Sequence, residues 1–419
     1  MHAISLLRKF VPFLAVLAVS KASIISSDSS DASCTLTASG GDDAPQFLAA
    51  TTSCSTVTIP AGTTLNIETR LNMTGRSNLN INLQGTIRFN PDIPYWTGNA
   101  FFIPFQTQIT FWLLGGENIV LSGGGTLDGA GQAWYDAFAS NSTLLRPIIL
   151  TLNQATHATV ENIRMINSPE WFNLVNECND VTFNNITINA VSTSKNFISN
   201  TDGWDIYRSD SVTIENSVIN NGDDCVSFKP NSTNILVSNL QCNGSHGISV
   251  GYALTLSFSV MLSTVRNRSL GQFAGVFDIV QNVTAINIKI SNAENGARIK
   301  AFAGSGVGSG HVQNITFLNF AETKVDNPVV IDQCYETAAA ACAEFPSNVI
   351  IQDIFFNGIS GTGSGSQVAS LACSPDGRCS DINVNNLKLT GAGGKTTYAC
   401  QNVALAGNSA SLFGTCATT

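Results

Sequence analysis

Charged residues are scarce in this chain, since they make up 12% of its 419 residues. The 29 acidic residues outnumber the 20 basic ones, and the formal net charge is −9. A chain with this balance has no overall attraction for nucleic acid or for an anionic membrane, and we expect neither as a partner. An anionic polymer is also disfavoured, unless a local cationic patch overrides the overall field.

Long apolar runs are missing as well. The run Phe10–Val19 is too short to span a bilayer, which takes roughly 20 apolar residues, and no later run approaches that length. Because Arg8 and Lys9 precede it, this run has the form of a signal peptide. The sequence therefore predicts a signal peptide over residues 1–20 and one secreted, extracellular domain over residues 21–419.

Histidine is rare, with 4 residues, and no Cys-x-x-Cys pair occurs, which argues against a zinc site. The 11 cysteines instead indicate disulfides formed in an oxidising compartment. Close spacing suggests five local bridges and leaves Cys178 unpaired, although spacing alone does not prove the connectivity. The candidate pairs are Cys34–Cys54, Cys225–Cys242, Cys334–Cys342, Cys373–Cys379 and Cys400–Cys416.

Asn-x-Ser/Thr sequons add to the case for secretion, because each permits N-glycosylation. They lie at Asn72, Asn141, Asn185, Asn231, Asn243, Asn267, Asn282 and Asn314.

Short alternating apolar runs separated by Gly, Ser, Thr and Asn predict an all-β protein. An Asn or Asp recurs between apolar residues, and we interpret each recurrence as a bend in a parallel β-helix (solenoid), where stacked Asn side chains hydrogen-bond from coil to coil and satisfy buried polar groups. Residues 40–54 predict a short helix that caps the N-terminal end. The segment Trp96–Trp112 is aromatic and interrupted by proline, which predicts a packed loop. The recurring positions are Asn162, Asn185, Asn216, Asn239, Asn287, Asn314, Asp353 and Asn386.

Three polar clusters lie within residues 200–251, and they contain Asp202, then Asp223 with Asp224, then His246. Asp202 and Asp223 are 21 residues apart and Asp224 and His246 are 22 apart, which suits one coil of a solenoid. Residues one coil apart lie side by side, so three carboxylates and an imidazole should share one patch, and mutual repulsion should raise at least one carboxyl pKa. Such a patch can supply an acid and a base. The alternative is that these are only turn residues.

These clusters, together with Arg298-Ile299-Lys300, Gly124–Gly129 and the cysteine-bracketed tail, resemble the polygalacturonases of glycoside hydrolase family 28. The resemblance covers nearly all of the chain after the signal. It implies a right-handed parallel β-helix that hydrolyses α-1,4-galacturonosyl bonds of pectin with inversion, as a monomer and without metal or cofactor. The spacing of the clusters does not itself settle the stereochemistry, because adjacent coils bring carboxylates closer than the roughly 6.5 to 9.5 Å of most inverting enzymes.

The same resemblance implies a role for each polar residue of the clusters. Asp223 is the expected general acid, and Asp202 with Asp224 is expected to activate the attacking water. His246 would tune the protonation of the acid, with a purely structural histidine as the alternative.

The resemblance also implies substrate-binding residues: Asn200, Arg298, Lys300 and Tyr335. Arg298 and Lys300 alternate across a strand with Ile299 pointing inward, so both cationic groups should face the same way and hold a galacturonate carboxylate. The alternatives are a solvated strand face for the two cations and plain packing for Tyr335.

Within the family, Asn200–Asp205 and Ser227–Asn231 look most like the fungal exo-acting branch, which removes galacturonate from the non-reducing end. An endo-polygalacturonase and a xylogalacturonan or rhamnogalacturonan hydrolase remain alternatives, although the retained His246 and Arg298 favour an undecorated chain. The non-enzyme alternative is an inactive β-helix that only binds pectin.

One segment departs from the family pattern, in which Gly-Ile-Ser-Val-Gly is followed directly by Ser-Leu-Gly. Here Tyr252–Arg268 separates Gly251 from Ser269 and carries no recurring Asn between paired apolar residues. We interpret residues 252–268 as the translation of a retained intron and expect them to protrude with poor packing. The alternative is a genuine surface loop that covers the groove.

Overall fold

The computed structural model describes residues 32–251 and 270–419. The predicted signal peptide, the suspected insertion at residues 252–268 and the sequon at Asn267 lie outside the described residues.

The described chain winds into a parallel β-helix. Its main sheet has 29 strands, and each strand pairs in parallel with the strand one coil away. Val181 pairs with Val212, and Val212 pairs with Ile235 on the next coil. The predicted all-β, right-handed parallel β-helix is therefore confirmed.

The strands stack into three walls. Wall 1 contains Leu150–Asn153, Asn173–Asn176, Trp204–Tyr207, Val226–Phe228, Ile248–Val250, Gln367–Ala372 and Thr397–Gln401. Wall 2 contains Ser33–Thr35, Thr56–Ile59, Thr156–Glu161, Asn179–Asn184, Asp210–Glu215, Ser232–Ser238, Asn348–Asn357, Cys379–Asn385 and Val403–Ala406. Wall 3 contains Thr64–Ile67, Thr86–Phe89, Thr126–Asp128, Arg164–Ile166, Thr187–Asn189, Val218–Asn220, Gln241–Asn243, Ser360–Gly363 and Lys388–Thr390. Four long strands turn corners and join more than one wall: Leu71–Leu83, Trp112–Ser122, Phe277–Lys300 and Ser309–Asp332.

The core lies between the walls and is filled by the inward-facing side chains of each strand. Along Asp210–Glu215, Val212 and Ile214 are fully buried, while Thr213 between them is only partly buried. Truncating one such Ile to Ala typically costs about 2 to 5 kcal/mol. Glu322 is one of the buried residues that break the apolar pattern: it is 2% exposed, and its carboxyl oxygens have no hydrogen-bond partner among the described residues. Burial raises the pKa of Glu322 well above its ordinary value.

The predicted Asn bends lie at the corners between walls 2 and 3. Asn185, Asn216 and Asn239 have φ of 54°, 54° and 57°, in the left-handed region that Asn tolerates better than most residues. Asn185 Nδ2 donates to Asn162 Oδ1 at 2.8 Å, and Asn239 Nδ2 donates to Asn216 Oδ1 at 3.1 Å. The predicted coil-to-coil hydrogen bonds are confirmed.

One detail of that prediction is wrong, and the structure adds another. The side chains of this ladder are exposed rather than buried, because the corners of the solenoid face solvent. In addition, Asn314 belongs to a second ladder at the start of wall 2, where its Nδ2 donates to Asn282 Oδ1 and Asn282 Nδ2 donates to Asn234 Oδ1. Asp353 shares this corner and its positive φ of 56°. The sequence pattern merges the two corners because both place Asn or Asp between apolar pairs.

A helix over Ala44–Ser53 covers the N-terminal end of the solenoid, as predicted. Phe47 is fully buried and meets the edge of Trp112, with ring centroids 5.7 Å apart. The other helices are Ile93–Asn99, Gln132–Ser140, Ala339–Glu344 and Ala410–Phe413, with short 3-10 turns at Phe105–Thr107 and Ala392–Gly394.

The segment Trp96–Trp112 is packed, but it is not only a loop. It contains part of a separate three-stranded sheet, here called the side sheet, formed by Phe101–Ile103, Gln108–Thr110 and Pro147–Ile148. Sequence reasoning missed this sheet because one of its strands comes from residues almost forty positions later, and no local pattern reveals that pairing.

All five predicted disulfides are present: Cys34–Cys54, Cys225–Cys242, Cys334–Cys342, Cys373–Cys379 and Cys400–Cys416. Cys178 is free and buried, and burial raises the pKa of its thiol to about 12. None of the helices within residues 32–251 and 270–419 combines the length and apolar character needed to cross a membrane.

Candidate active site

The polar clusters meet where the chain enters wall 1. Trp204, Val226 and Ile248 pair in register on successive coils. Asp202, Asp224 and His246 each lie two residues before one of these strand positions, so the register stacks the three clusters as the sequence predicts.

Asp224 is held by two cations. Its Oδ1 accepts from Arg298 Nη2 at 3.0 Å and from Ser249 Oγ at 2.7 Å, and its Oδ2 accepts from Lys300 Nζ at 3.1 Å. Burial alone would raise the pKa of Asp224, but Lys300 and Arg298 hold it well below its usual range. Asp224 is therefore ionised at neutral and mildly acidic pH.

Asp223 pairs with His246, whose Nδ1 lies 3.0 Å from Asp223 Oδ1. The other ring nitrogen, Nε2, lies 3.3 Å from Glu294 Oε2. Burial disfavours the charged imidazole, but the neighbouring carboxylates, with Asp223 foremost, raise the pKa of His246 to about 9. In turn His246 outweighs burial at Asp223 and lowers the pKa of that carboxyl. The pair therefore shares one titratable proton. In the substrate-free protein this proton is on His246, which is an imidazolium, and Asp223 is ionised.

Asp202 is the carboxyl that the cluster keeps protonated. It is 1% exposed, and neither carboxyl oxygen has a hydrogen-bond partner among the described residues. Burial raises the pKa of Asp202 well above its usual range, and the charges of Asp205 and Asp223 add to the effect. The expected raised pKa is thus present, on Asp202 rather than on Asp223.

Next to Asp202 lies a fully buried ion pair, in which Lys229 Nζ is 2.7 Å from Asp205 Oδ1. Burial raises the pKa of Asp205 to about 7, with Lys229 opposing the rise. Lys229 Nζ also lies 5.1 Å from the centre of the Trp171 ring. This pair lies on the outward face of wall 1 and is covered.

Asn200 lies beside Asp223. Its Nδ2 donates to Asp223 Oδ2 at 3.2 Å, and its Oδ1 accepts from Arg146 Nη2 at 2.8 Å. Arg146 is itself paired with Glu170 Oε2 at 2.7 Å. Burial raises the pKa of Glu170 to about 8, although Arg146 opposes this.

Arg298 and Lys300 project together from wall 1 while Ile299 is buried in the core, as the alternation predicts. Tyr335 completes the group, since Lys300 Nζ lies 5.2 Å and Arg298 Cζ 5.8 Å from the centre of its ring. The two cations are not an open patch, however. They are 5% and 2% exposed and already bound to Asp224.

Asp223, Asp224 and His246 place one ligand-type atom each within 4.8 Å of the others, the one such His/Cys/Asp/Glu group in the part of the chain that the structure describes. All three are engaged in ion pairs with protein side chains. Asp224 is paired with Lys300 and Arg298, and Asp223 is paired with His246, so the geometry describes a hydrogen-bonded acid–base cluster.

Every residue that the sequence predicts for the site is brought together, and six others are added. Asp205 and Lys229 fall inside the two segments that resemble the exo-acting branch. The sequence therefore pointed to both residues, but it gave neither of them a role in the site. Arg146 and Glu170 carry no local motif, because they reach the site from preceding coils. Ser249 lies in the Gly-Ile-Ser-Val-Gly motif after His246, and Glu294 lies four residues before Arg298 on the same strand, but neither had been given a role.

Comparison with known proteins places this geometry in a family. The pattern of Glycosyl hydrolases family 28 matches residues 50–412. The Exopolygalacturonase of Cochliobolus carbonum is 44% identical over 388 residues, which cover 88% of this chain and 83% of that protein. The Probable exopolygalacturonase X of Aspergillus fumigatus is 42% identical over 381 residues, covering 87% and 84% respectively.

Solved structures agree. The endo-xylogalacturonan hydrolase from Aspergillus tubingensis is 31% identical and superposes with a TM-score of 0.80 over 93% of this chain and 99% of its own. The polygalacturonase from Erwinia carotovora, at 23% identity and a TM-score of 0.70, covers 90% of this chain and 97% of its own and shares the fold. This chain belongs to glycosyl hydrolases family 28.

Proposed function

We propose that this protein is a secreted polygalacturonase that hydrolyses α-1,4-galacturonosyl bonds of pectin from the non-reducing end. The observation that carries the proposal is the cluster of three carboxylates with His246, Arg298 and Lys300 at the entrance of wall 1. It combines ionised and protonated carboxyl groups within one patch, which is what acid–base hydrolysis of a glycosidic bond requires.

Asp223 is the proposed general acid. Its side chain is 17% exposed, whereas Asp202 and Asp224 are each 1% exposed, so Asp223 is the most accessible of the three to the leaving oxygen of a substrate. Its pair with His246 carries the proton that the leaving glycosidic oxygen takes. Because the pKa of His246 is about 9, this proton is retained throughout the acidic and neutral range.

Asp224 is the proposed base, with Asp202 orienting the water. Water attacks the anomeric carbon and gives a proton to ionised Asp224, while the bond to the leaving oxygen breaks and that oxygen takes the proton of the Asp223–His246 pair. Inversion is proposed from the family resemblance and not from the carboxylate separation. Asp223 and Asp224 place carboxylate oxygens within 4.8 Å of each other, which is closer than in most inverting pairs. NMR of the newly released anomer tests it.

The side sheet supports exo action. Tyr207 and Leu174 lie on the outward face of wall 1, and both are buried in a cluster with Phe105 and Trp171. Phe105 stacks on Tyr207 with ring centroids 3.7 Å apart. The outward face is therefore covered on the Leu174 coil and on the coil that carries Asp202. This cover supports the proposal that a polymer bound at the cluster ends there.

The polymer's carboxylates need local positive charge, because the chain as a whole has a net charge of −9. Arg298 and Lys300 are proposed to supply it, with Tyr335 beside them. A bound galacturonate carboxylate would share these cations with Asp224. The cations would then lower the pKa of Asp224 less, which would make Asp224 a better base.

Secretion is proposed from the signal-like N-terminus and the five disulfides, and glycosylation is proposed at two sequons in particular. Asn72 and Asn141 are exposed, and each side-chain oxygen accepts from the Thr two residues later. By contrast the amide nitrogens of Asn185, Asn243 and Asn282 donate to side chains on the neighbouring coil. We also propose that the protein is a monomer.

The test is release of reducing ends from polygalacturonate, with product sizing during the first few per cent of hydrolysis. Monogalacturonate alone at that stage indicates exo action, and a ladder of oligomers indicates an endo-polygalacturonase. Asp223→Asn is the matched control, and we expect turnover to fall by roughly 10²-fold or more without a change in circular dichroism. Turnover within tenfold of the parent would refute the assignment of the acid.

The similarity to an endo-xylogalacturonan hydrolase favours a second candidate substrate. Parallel assays on xylogalacturonan and rhamnogalacturonan distinguish these activities. Binding to pectin with no product from any of the polymers would indicate the inactive β-helix instead.

A further inference from the structure

The amide of Asn200 has one orientation available, and a buried arginine fixes it. Arg146 Nη2 donates to Asn200 Oδ1 at 2.8 Å. A guanidinium has only donors, so the oxygen of the amide must face Arg146 and the NH2 group must face Asp223, where Nδ2 lies 3.2 Å from Oδ2. A flipped amide would oppose two donors on one side and two oxygens on the other.

Arg146 is held so tightly that it cannot follow a flipped amide. Its side chain is 1% exposed. Nη2 pairs with Glu170 Oε2 at 2.7 Å, and Nη1 donates to the carbonyls of Pro169 at 2.8 Å and Ser199 at 2.7 Å. The guanidinium also lies over the ring of Phe138, at 3.7 Å from its centre. The orientation of the Asn200 amide is thus set by packing that no substrate can reach.

We propose that Arg146 is a positioning residue for the reaction: it holds the NH2 group of Asn200 toward Asp223 and thereby fixes the orientation and the proton affinity of the acid. A hydrogen bond donated to a carboxylate favours its ionised form and holds its rotamer. This inference rests on the proposed function of Asp223, but the orientation it describes exists without substrate.

Other charges also act on Asp223, and an experiment must keep them constant. They come from His246, Asp224, Lys300, Asp202, Asp205, Glu170 and Arg298. Glu170 is the one that also contacts Arg146, and Tyr135 is the other titratable group whose pKa Arg146 affects. Because the pKa of Glu170 is about 8, Glu170→Gln changes little charge in the acidic range where Asp223 titrates.

The first readout needs no activity. The carboxyl of Asp223 is titrated by NMR in protein with 13C-labelled aspartate, and Asp223→Asn assigns the signal. The test variant combines Arg146→Met with Glu170→Gln, so that no buried carboxyl loses its only cation. We expect the midpoint of Asp223 to move to higher pH in this variant and in Asn200→Ala, with no further rise when the three substitutions are combined.

That combination separates positioning from simple electrostatics. If Arg146 acted on Asp223 only through its charge, the double variant would raise the midpoint by the same amount whether or not Asn200 is present. A rise that adds in full to the effect of Asn200→Ala would therefore overturn the proposal. Arg146→Lys keeps the charge but not the fork of donors, and it should still raise the midpoint. If the double variant does not fold, Arg146→Lys is the variant that tests the proposal.

The second readout is the pH dependence of kcat on polygalacturonate. We expect kcat of the double variant to fall roughly ten- to a hundredfold, a part of the roughly 10² to 10⁴ that general acid catalysis contributes, with the alkaline limb at higher pH. Glu170→Gln alone is one control. Arg208→Met is another, because it breaks an exposed Arg–Glu pair, with Nη1 of Arg208 3.1 Å from Glu177 Oε1.

A lower melting temperature with an unchanged Asp223 midpoint and an unchanged alkaline limb would show that Arg146 is only structural and would overturn the proposal. If the parent releases no product from any pectic polymer, the proposed function fails, and the titration of Asp223 still decides the role of Arg146.

Discussion

Replacing Lys300 with methionine should move the acidic limb of the pH–activity profile. Lys300 Nζ lies 3.1 Å from Asp224 Oδ2, and both side chains are 1% exposed. Two unit charges at that separation attract each other by roughly 5 kcal/mol at an effective dielectric constant of about 20. Arg298 remains on the other oxygen at 3.0 Å, so only part of this attraction is lost.

The sign follows from the proposed role of Asp224 as the base. Lys300 lowers the pKa of Asp224, so its removal lets the carboxyl keep a proton to higher pH. A base is useful only when ionised, and activity is therefore lost at a higher pH than in the parent. A carboxyl beside a cation has a pKa lowered by roughly 1 to 3, so we expect the acidic limb to move up by a comparable number of pH units.

The assay is kcat for release of reducing ends from polygalacturonate, measured across the acidic range at fixed ionic strength. Lys289→Met is the matched control, because Lys289 is exposed on the same strand, Phe277–Lys300, but on wall 3. An acidic limb that stays at the parent's pH in Lys300→Met, whatever the height of the plateau, would refute the role of Lys300 in keeping Asp224 ionised.

Three further predictions concern substrate recognition, stability and the extent of the chain. Arg298→Ala should mainly raise KM, and the difference from the parent should shrink on methyl-esterified substrate, because the carboxylate partner is then absent; equal losses on both substrates would contradict carboxylate recognition. Glu322→Gln should stabilise the protein relative to the parent more at pH 8 than at pH 4. Because the pKa of Glu322 is raised in the folded protein, its contribution to the free energy of unfolding is complete below the ordinary pKa of 4.5 and is progressively lost as the pH rises above that value. Equal melting-temperature differences at the two pH values would argue against this. Finally, a chain lacking Tyr252–Arg268 should be at least as soluble and active as the full chain, and activity confined to the full chain, or a mature transcript that encodes the segment, would show that the segment belongs to the enzyme.

The fold was predictable because its signals repeat. Inward apolar residues alternate on every coil, and Asn at a left-handed corner is a local choice that the sequence displays directly. The disulfides were predictable for a similar reason, since each joins cysteines close in sequence. The two corner ladders merged into one set because Asn314 and Asn287 have the same local surroundings and differ only in which corner the coil reaches.

The grouping of the candidate site residues was predictable, but the distribution of charge among them was not. Asp202, Asp223 and Asp224 share one interval and therefore one patch, yet which of them keeps a proton depends on partners that arrive from other coils. Lys300 reaches Asp224 across 76 positions and Arg146 reaches Asn200 across 54. Sequence separations of this size leave no trace in local spacing. The protonation of Asp202 and the pairing of Arg298 with Asp224 therefore became evident only from the structure.

The five disulfides also determine how this protein would yield to force. They span 20, 17, 8, 6 and 16 residues, each fewer than the 22 residues that separate Trp204 from its partner Val226 on the next coil. No bridge therefore ties distant coils together. Pulled from its two ends, the described chain would peel away one coil at a time, and each bridge would shorten the released length only by its own small loop.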